Sequence, residues 1–193
     1  MKYYVVKYTG LFGFIKPWTA VRDEEVFSQQ FLTPSIVGGI ERKLFPELLD
    51  KPFNIYKIKS HRLSYSQIAI QQEQTQPRGW NDAGKTKERP FSILKRGVLI
   101  NPILHLLFEN KNDAEIAFQQ HICLSRNEDI LMPEEIFEIE NVEFDTNEDL
   151  FYGFELVFEK NDKSFQVGYN RMNNNEPMFG WLKIVGTPVK STF

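Results

Sequence analysis

Cysteine is almost absent from this 193-residue chain: there is one, Cys123, which excludes an intramolecular disulfide. Histidine is nearly as scarce, with three in all, and no Cys/His set has zinc-ligand spacing, so no metal site is expected. A reducing, cytoplasmic setting follows as the expectation. No apolar run approaches the roughly 18 residues of a membrane helix, and Met1-Lys2-Tyr3-Tyr4 passes directly into a strand-like run without the apolar core of a signal peptide. Neither membrane contact nor export is therefore expected. G-x-S-x-G, P-loop, H-E-x-x-H and paired-carboxylate motifs are missing too, which removes the common hydrolase, NTPase and metalloprotease chemistries and leaves no cofactor to expect.

What is present is core-forming material. Apolar residues make up 41% of the chain and aromatics 14%, enough to bury an ordinary core. Net charge is only −3, but it is unevenly spread. Met1 to His105 holds 16 Lys/Arg against 9 Asp/Glu, while Leu106 to Phe193 holds 7 against 17. That asymmetry predicts one electropositive face for an anionic partner and one acidic face for a basic protein neighbour.

Periodicity gives the elements. Tyr3 to Tyr8 is β-branched and aromatic and reads as a first strand. The following LFGFIKPWTAVRDEEVFSQQF has no clean period and reads as a loop. Thr33-Pro34-Ser35 opens a helix to about Phe45, with Thr33 or Ser35 as cap, proline in the first turn, and Ile36, Val37, Ile40 and Leu44 at helical spacing. Gly38 and Gly39 cost such a helix about 1 kcal/mol each against alanine, so a close approach of backbone or phosphate is expected there. Phe53 to Ile70 and Phe91 to Phe108 read as long strands, Asp113 to Gln120 as a short helix, and Glu134 to Phe144 as an acidic–apolar alternation. Leu150 to Phe158 and Lys163 to Tyr169 read as a hairpin about Asn161-Asp162, and Phe179 to Val185 as a last strand. One α+β domain over 1–193 is predicted, without internal repeats or a sharp linker.

Between the two long strands lies QQEQTQPRGWNDAGKTKERP, from Gln71 to Pro90. A polar, Gly/Pro-punctuated segment of this length is uncommon inside a compact domain unless it has a task. Flanked by strands it becomes the tip of a projecting β-thumb, an insertion spanning about 66–96, while an acidic β-rich portion occupies about 134–193. The arm carries Arg78, Trp80, Lys85, Lys87 and Arg89, side chains suited to gripping a nucleic-acid backbone and stacking on bases. Lys16, Trp18 and Arg22 in the first loop, Arg42 and Lys43 on the helix, and Lys95 and Arg96 on the arm's return add to them. Interleaved cations and aromatics point to single-stranded RNA, whose bases are free to be stacked upon. His105, inside an apolar strand, is expected to be a satisfied core residue. His61, beside Arg62 and Tyr65, is the alternative: with Tyr65 it is a candidate for metal-independent RNA cleavage by proton transfer.

The strand YYVVKYTG, the loop LFGFIKPW, the helix start FLTPSIVGGIERKLF, the thumb-like insertion and the later HICLSRNED together resemble the CRISPR-associated "Cas five" family. Thr33, Pro34, Ser35 and Gly38 match its T-P-S turn and small-residue helix start. Leu124 to Glu128 match its L-G-R-x-E segment with serine in place of glycine, which brings in Arg126. The resemblance covers roughly residues 1–135 in order of elements. It implies a ferredoxin-like, RRM/RAMP-type antiparallel sheet with a β-hairpin thumb, and a non-enzymatic subunit that holds the 5′ handle of the guide RNA (crRNA) in a type I Cascade complex for antiviral defence. It also implies contact with the backbone and large subunits and with the target DNA flank. The Tyr/Lys/His arrangement of the RNA-processing branch has no counterpart carried over here. Two other readings stand beside it: an endoribonuclease acting on CRISPR precursor RNA, and an acidic protein-interaction module without nucleic acid.

Overall fold

The first strand, β1 (Lys2–Thr9), sits at the centre of the molecule because both of its faces are needed. Val6 and Tyr8 are buried on one side and Val5 on the other. In the computed structural model, which describes residues 2–17, 25–75, 92–124, 126–140, 142–170 and 174–190, β1 pairs antiparallel with β7 (Ile103–Phe108) and with β9 (Ile130–Glu140). Between these come β2 (Phe12–Gly13), β3 (Glu25–Phe27), α1 (Pro34–Leu44), β4 (Ile58–Ser64), β5 (Gln67–Thr75), β6 (Ser92–Ile100), α2 (Lys111–Phe118) and β8 (Ile122–Cys123). The single turn α3 (Glu143–Thr146) and strands β10 (Gly153–Val157), β11 (Phe165–Asn170) and β12 (Glu176–Val185) complete the chain. The result is α+β, dominated by antiparallel pairing.

The main sheet has eight strands in the order β11-β12-β10-β4-β7-β1-β9-β8. Both longer helices cover one of its faces. Val37, Ile40 and Leu44 of α1 and Ala114 and Ala117 of α2 share a core with Val6, Tyr8, Leu63, Leu104 and Leu106, and the Tyr8 hydroxyl donates to the Ala117 carbonyl at 2.6 Å. Glu41 is the helix residue that fixes the start of β4: fully buried, its carboxylate accepts the N–H groups of Tyr56, Lys57 and Ile58 at 2.6–3.0 Å. On the opposite face Val5, Leu107, Ile139, Phe144 and Phe151 form a smaller apolar cluster under α3.

A second sheet is built on β6. It pairs with β5 through nine residue pairs, Gln67↔Ile100 to Thr75↔Ser92, and along its other edge with β2 (antiparallel) and β3 (parallel). The two long runs expected from periodicity therefore each break. Tyr65-Ser66 separates β4 from β5, and Asn101-Pro102, with Asn101 at φ +48°, separates β6 from β7. At both breaks the chain changes sheets. The hairpin is real, but β5 runs to Thr75, five residues into the polar arm, so strand pairing rather than composition sets where the arm begins.

Other expectations need correction. The first loop contains β2 and β3, too short for periodicity to register. Thr33 precedes α1 without capping it; its hydroxyl lies 3.0 Å from that of Ser35, and neither accepts a first-turn N–H. Gly38 is needed because the Phe53 ring lies where a Cβ would stand, 2.8 Å away, whereas Gly39 meets nothing within 4 Å. β10 and β11 do not form a hairpin: β12 lies between them and pairs with both. The charge division along the chain does not become two faces either. Lys2–Glu138, Lys7–Glu134, Lys57–Asp113, Lys59–Glu109, Arg62–Asp145 and Arg62–Glu155 all join the basic half to the acidic half, since β1 and β4 are surrounded by elements from the other half.

Candidate nucleic-acid interface

At the base of the β5–β6 hairpin, Phe14 leaves β2 and is buried with Val26 and Val98. Two guanidinium groups lie over its ring: Arg96 of β6 at 5.2 Å from the centroid, and Arg126 of the turn after β8 at 5.4 Å. Each is steered by carboxylates. Arg96 Nε donates to Glu73 of β5 at 2.6 Å, and Arg126 donates through Nε and Nη2 to the two oxygens of buried Asp129 at 2.9 and 2.7 Å. The Arg126 pKa is raised above its ordinary value by the hydrogen bond to Asp129 first, then by the charges of Asp129, Glu128 and Glu73. Two flat cations stacked on one aromatic ring form a platform on which bases and phosphates can compete with those carboxylates. Lys16, two residues from Phe14, is exposed, as is Lys95 on β6.

The structure thus brings Lys16, Lys95, Arg96 and Arg126 into one neighbourhood from three separate segments. Lys43 lies beyond it, exposed on α1, with Nζ 3.8 Å from Cys123 Sγ. Arg42 belongs elsewhere. It donates to the carbonyls of Leu48, Lys51 and Pro52 at 3.2–3.5 Å and packs over Phe53, so it closes the chain after α1 rather than meeting a ligand. Thr33 and Gly38 are buried, while Ser35 is exposed in the first turn. Trp18, Arg22, Arg78, Trp80, Lys85, Lys87 and Arg89 lie outside the described residues.

His61 and Tyr65 point to the helix side of the sheet. His61 is 2% exposed, tilted against Phe158 with centroids 5.7 Å apart, and burial pulls its pKa down to about 3, with the charge of Arg62 adding to the effect. It is neutral throughout the physiological range. The Tyr65 hydroxyl donates to Gln30 Oε1 at 2.6 Å and its pKa is raised by burial. His105 is a core residue as expected, edge-on to Phe151, but both its ring nitrogens lack hydrogen-bond partners.

One arrangement escaped the sequence reading. Cross-strand registers place Glu135, Lys7, His105 and Arg62 in succession across β9, β1, β7 and β4; Arg62 pairs with Glu155 of β10, which stands opposite Lys183 of β12. The row is a line of ionisable groups across six strands. Arg62 is completely buried, lies over Phe144 at 4.6 Å, and has its pKa lowered to about 10 by burial against the opposing pull of Asp145. The signal was present: β1, β7, β4, β10 and β12 each carry an ionisable residue flanked by apolar neighbours. Register alone shows that these residues line up. Among the described residues no group of three or more His, Cys, Asp or Glu is placed to hold a metal, and no helix is long and apolar enough to cross a membrane. No protein-family model matches the chain, and no curated protein matches it.

Proposed function

We propose that this chain is an RNA-binding protein that grips a single-stranded segment with the β5–β6 hairpin and the Arg96–Phe14–Arg126 stack at its base. In the terms of the family it resembles, the segment is the 5′ handle of a guide RNA held within a multi-subunit type I effector complex. The observation that carries the reading is the meeting of two segments about 30 residues apart in sequence, the arm's return strand and the Cys123–Asp129 turn, through their arginines on one aromatic ring. Chain order supports the accompanying fold. The core runs β1-α1-β4-β7-α2-β9 with spatial order β4-β7-β1-β9 and both helices on one face, which is the β-α-β-β-α-β plan of ferredoxin-like domains. The hairpin is inserted between its second and third strands.

The protein acts here by binding, not by cleaving. His61 is buried and neutral, without the access to a 2′-hydroxyl that a general base needs. Fluorescence anisotropy with short labelled single-stranded RNAs tests the reading. Tight binding that weakens steeply with salt is expected, and Arg96→Ala with Arg126→Ala should weaken it about tenfold or more, at about 1–3 kcal/mol per lost stacking contact. Absent or salt-independent binding, both alone and with partner subunits, overturns it.

A further inference from the structure

β10 meets β4 closely at one end and leaves it at the other. Gly153, at φ +152°, has the Leu63 carbonyl 2.9 Å from where a Cβ would stand, and the ladder between the strands is made at Phe154↔Leu63. Past that pair the Glu155 carboxylate takes the N–H of His61 at 3.2 Å and the hydroxyl of Ser60, so a side chain stands in for strand pairing. The strands splay, and a cavity of about 300 Å³ opens, lined by Val37, Asn54, His61 and Phe158 among others. A second cavity of about 250 Å³ shares Asn54, Ile55 and Phe158 and continues to Phe53, Met178 and Phe179.

The lining specifies an occupant. Its walls are flat rings, Phe158 against His61 on one side and Phe53 and Phe179 farther out. Its polar groups are neutral where they are unsatisfied: His61 Nε2 is buried without a hydrogen-bond partner. Asn54 spends its carbonyl on the Ile55 N–H at 2.9 Å and keeps an NH2 to give. The charged Glu155 at the margin is already paired with Arg62. A narrow slot with aromatic walls and a few neutral donors and acceptors at its edge suits a planar heterocycle rather than a phosphate or a peptide.

We propose that this wedge between β4 and β10 is a pocket for one unstacked nucleobase of the bound RNA, with Phe158 as stacking wall and His61 and Asn54 reading the base edge. The assignment rests on the RNA-binding function proposed above. It makes one position of the RNA different from the rest, because a single base leaves the strand to enter the slot.

The test uses a short single-stranded RNA that the intact protein binds, carrying 2-aminopurine at each position in turn. One position is expected to show a fluorescence change on binding that the others lack, together with protection from acrylamide. Asn54→Ala, at an exposed loop residue, and Phe158→Leu, which keeps apolar bulk but removes the ring, should each abolish that signal and lower affinity about tenfold, one decade in Kd. Thermal melts and circular dichroism of both variants check that the fold is kept. If the RNA binds but no position responds, or the response survives both substitutions, the pocket is overturned while RNA binding stands. If no RNA binds at all, both fall together.

Discussion

Glu41 shows how much one side chain carries here, since its carboxylate satisfies three consecutive N–H groups ahead of β4. Glu41→Ala strands those donors in a buried site and should cost about 3 kcal/mol or more, read as a lowered urea midpoint. Adjacent glycines separate two effects that look identical in sequence. Gly39→Ala adds a methyl where nothing lies within 4 Å and should stabilise by about 0.5–1 kcal/mol through helix propensity, whereas Gly38→Ala drives a methyl into the Phe53 ring and should destabilise. Calorimetric melts of the pair would show opposite signs. The histidines set the acid limit. His61 and His105 each have a folded pKa near 3, below the unfolded 6.5, so the unfolded chain takes up protons first as pH falls. Their stabilisation is complete above about pH 6.5 and declines below it, by about 2 kcal/mol per histidine at pH 5. His105→Leu removes one such group, along with two unpartnered ring nitrogens, and should roughly halve the histidine share of the loss in stability between pH 7.5 and pH 5.

At the scale of elements, the hairpin is separable from its tip. The β5–β6 ladder closes at Thr75↔Ser92, an antiparallel pair that a two-residue Asn-Gly turn can bridge in place of residues 76–91. That replacement should leave the melting temperature within a few degrees of the original, because the nine ladder pairs and the Phe14 stack remain. RNA affinity should drop, and anisotropy would measure it; unchanged affinity would move the binding site off the arm. Elements with a local signature were legible in the sequence: the β-branched first strand, α1 with its proline start, α2, and the hairpin as a pair of runs around a polar insert. What stayed hidden is non-local. β2 and β3 have only two and three residues and exist because β6 offers them an edge. β12 inserts between β10 and β11, which no alternation encodes, and Gly180, with Val157 O 2.9 Å from where a Cβ would stand, belongs to that pairing. The candidate site divides the same way. Arg96 and Arg126 stood out by type, but Phe14, the ring that joins them, reads in sequence as one more apolar residue.

Over the whole molecule, the division of charge is spent largely on folding. Basic strands β1 and β4 meet acidic β9, α2, α3 and β10, so the cations that a tally of the first half credits to a ligand are partly consumed by ion pairs. What remains for an anionic partner is local: the arm's cations and the exposed lysines near its base. Salt separates the two populations. Most of the cross-half pairs are partly exposed, such as Lys2–Glu138 and Lys59–Glu109, and pairs of that kind contribute about 0–1 kcal/mol each. Raising salt should therefore move the melting temperature little. RNA affinity should respond far more, because each phosphate neutralised releases counterions and single strands give a slope of about −0.7 per contact in a log–log plot. With Arg78, Lys85, Lys87 and Arg89 all engaged, a slope near −3 is expected, and their joint replacement by alanine should remove most of it while the melt is unchanged. A slope that survives the quadruple replacement would assign the phosphate contacts to the main body of the protein instead of the arm.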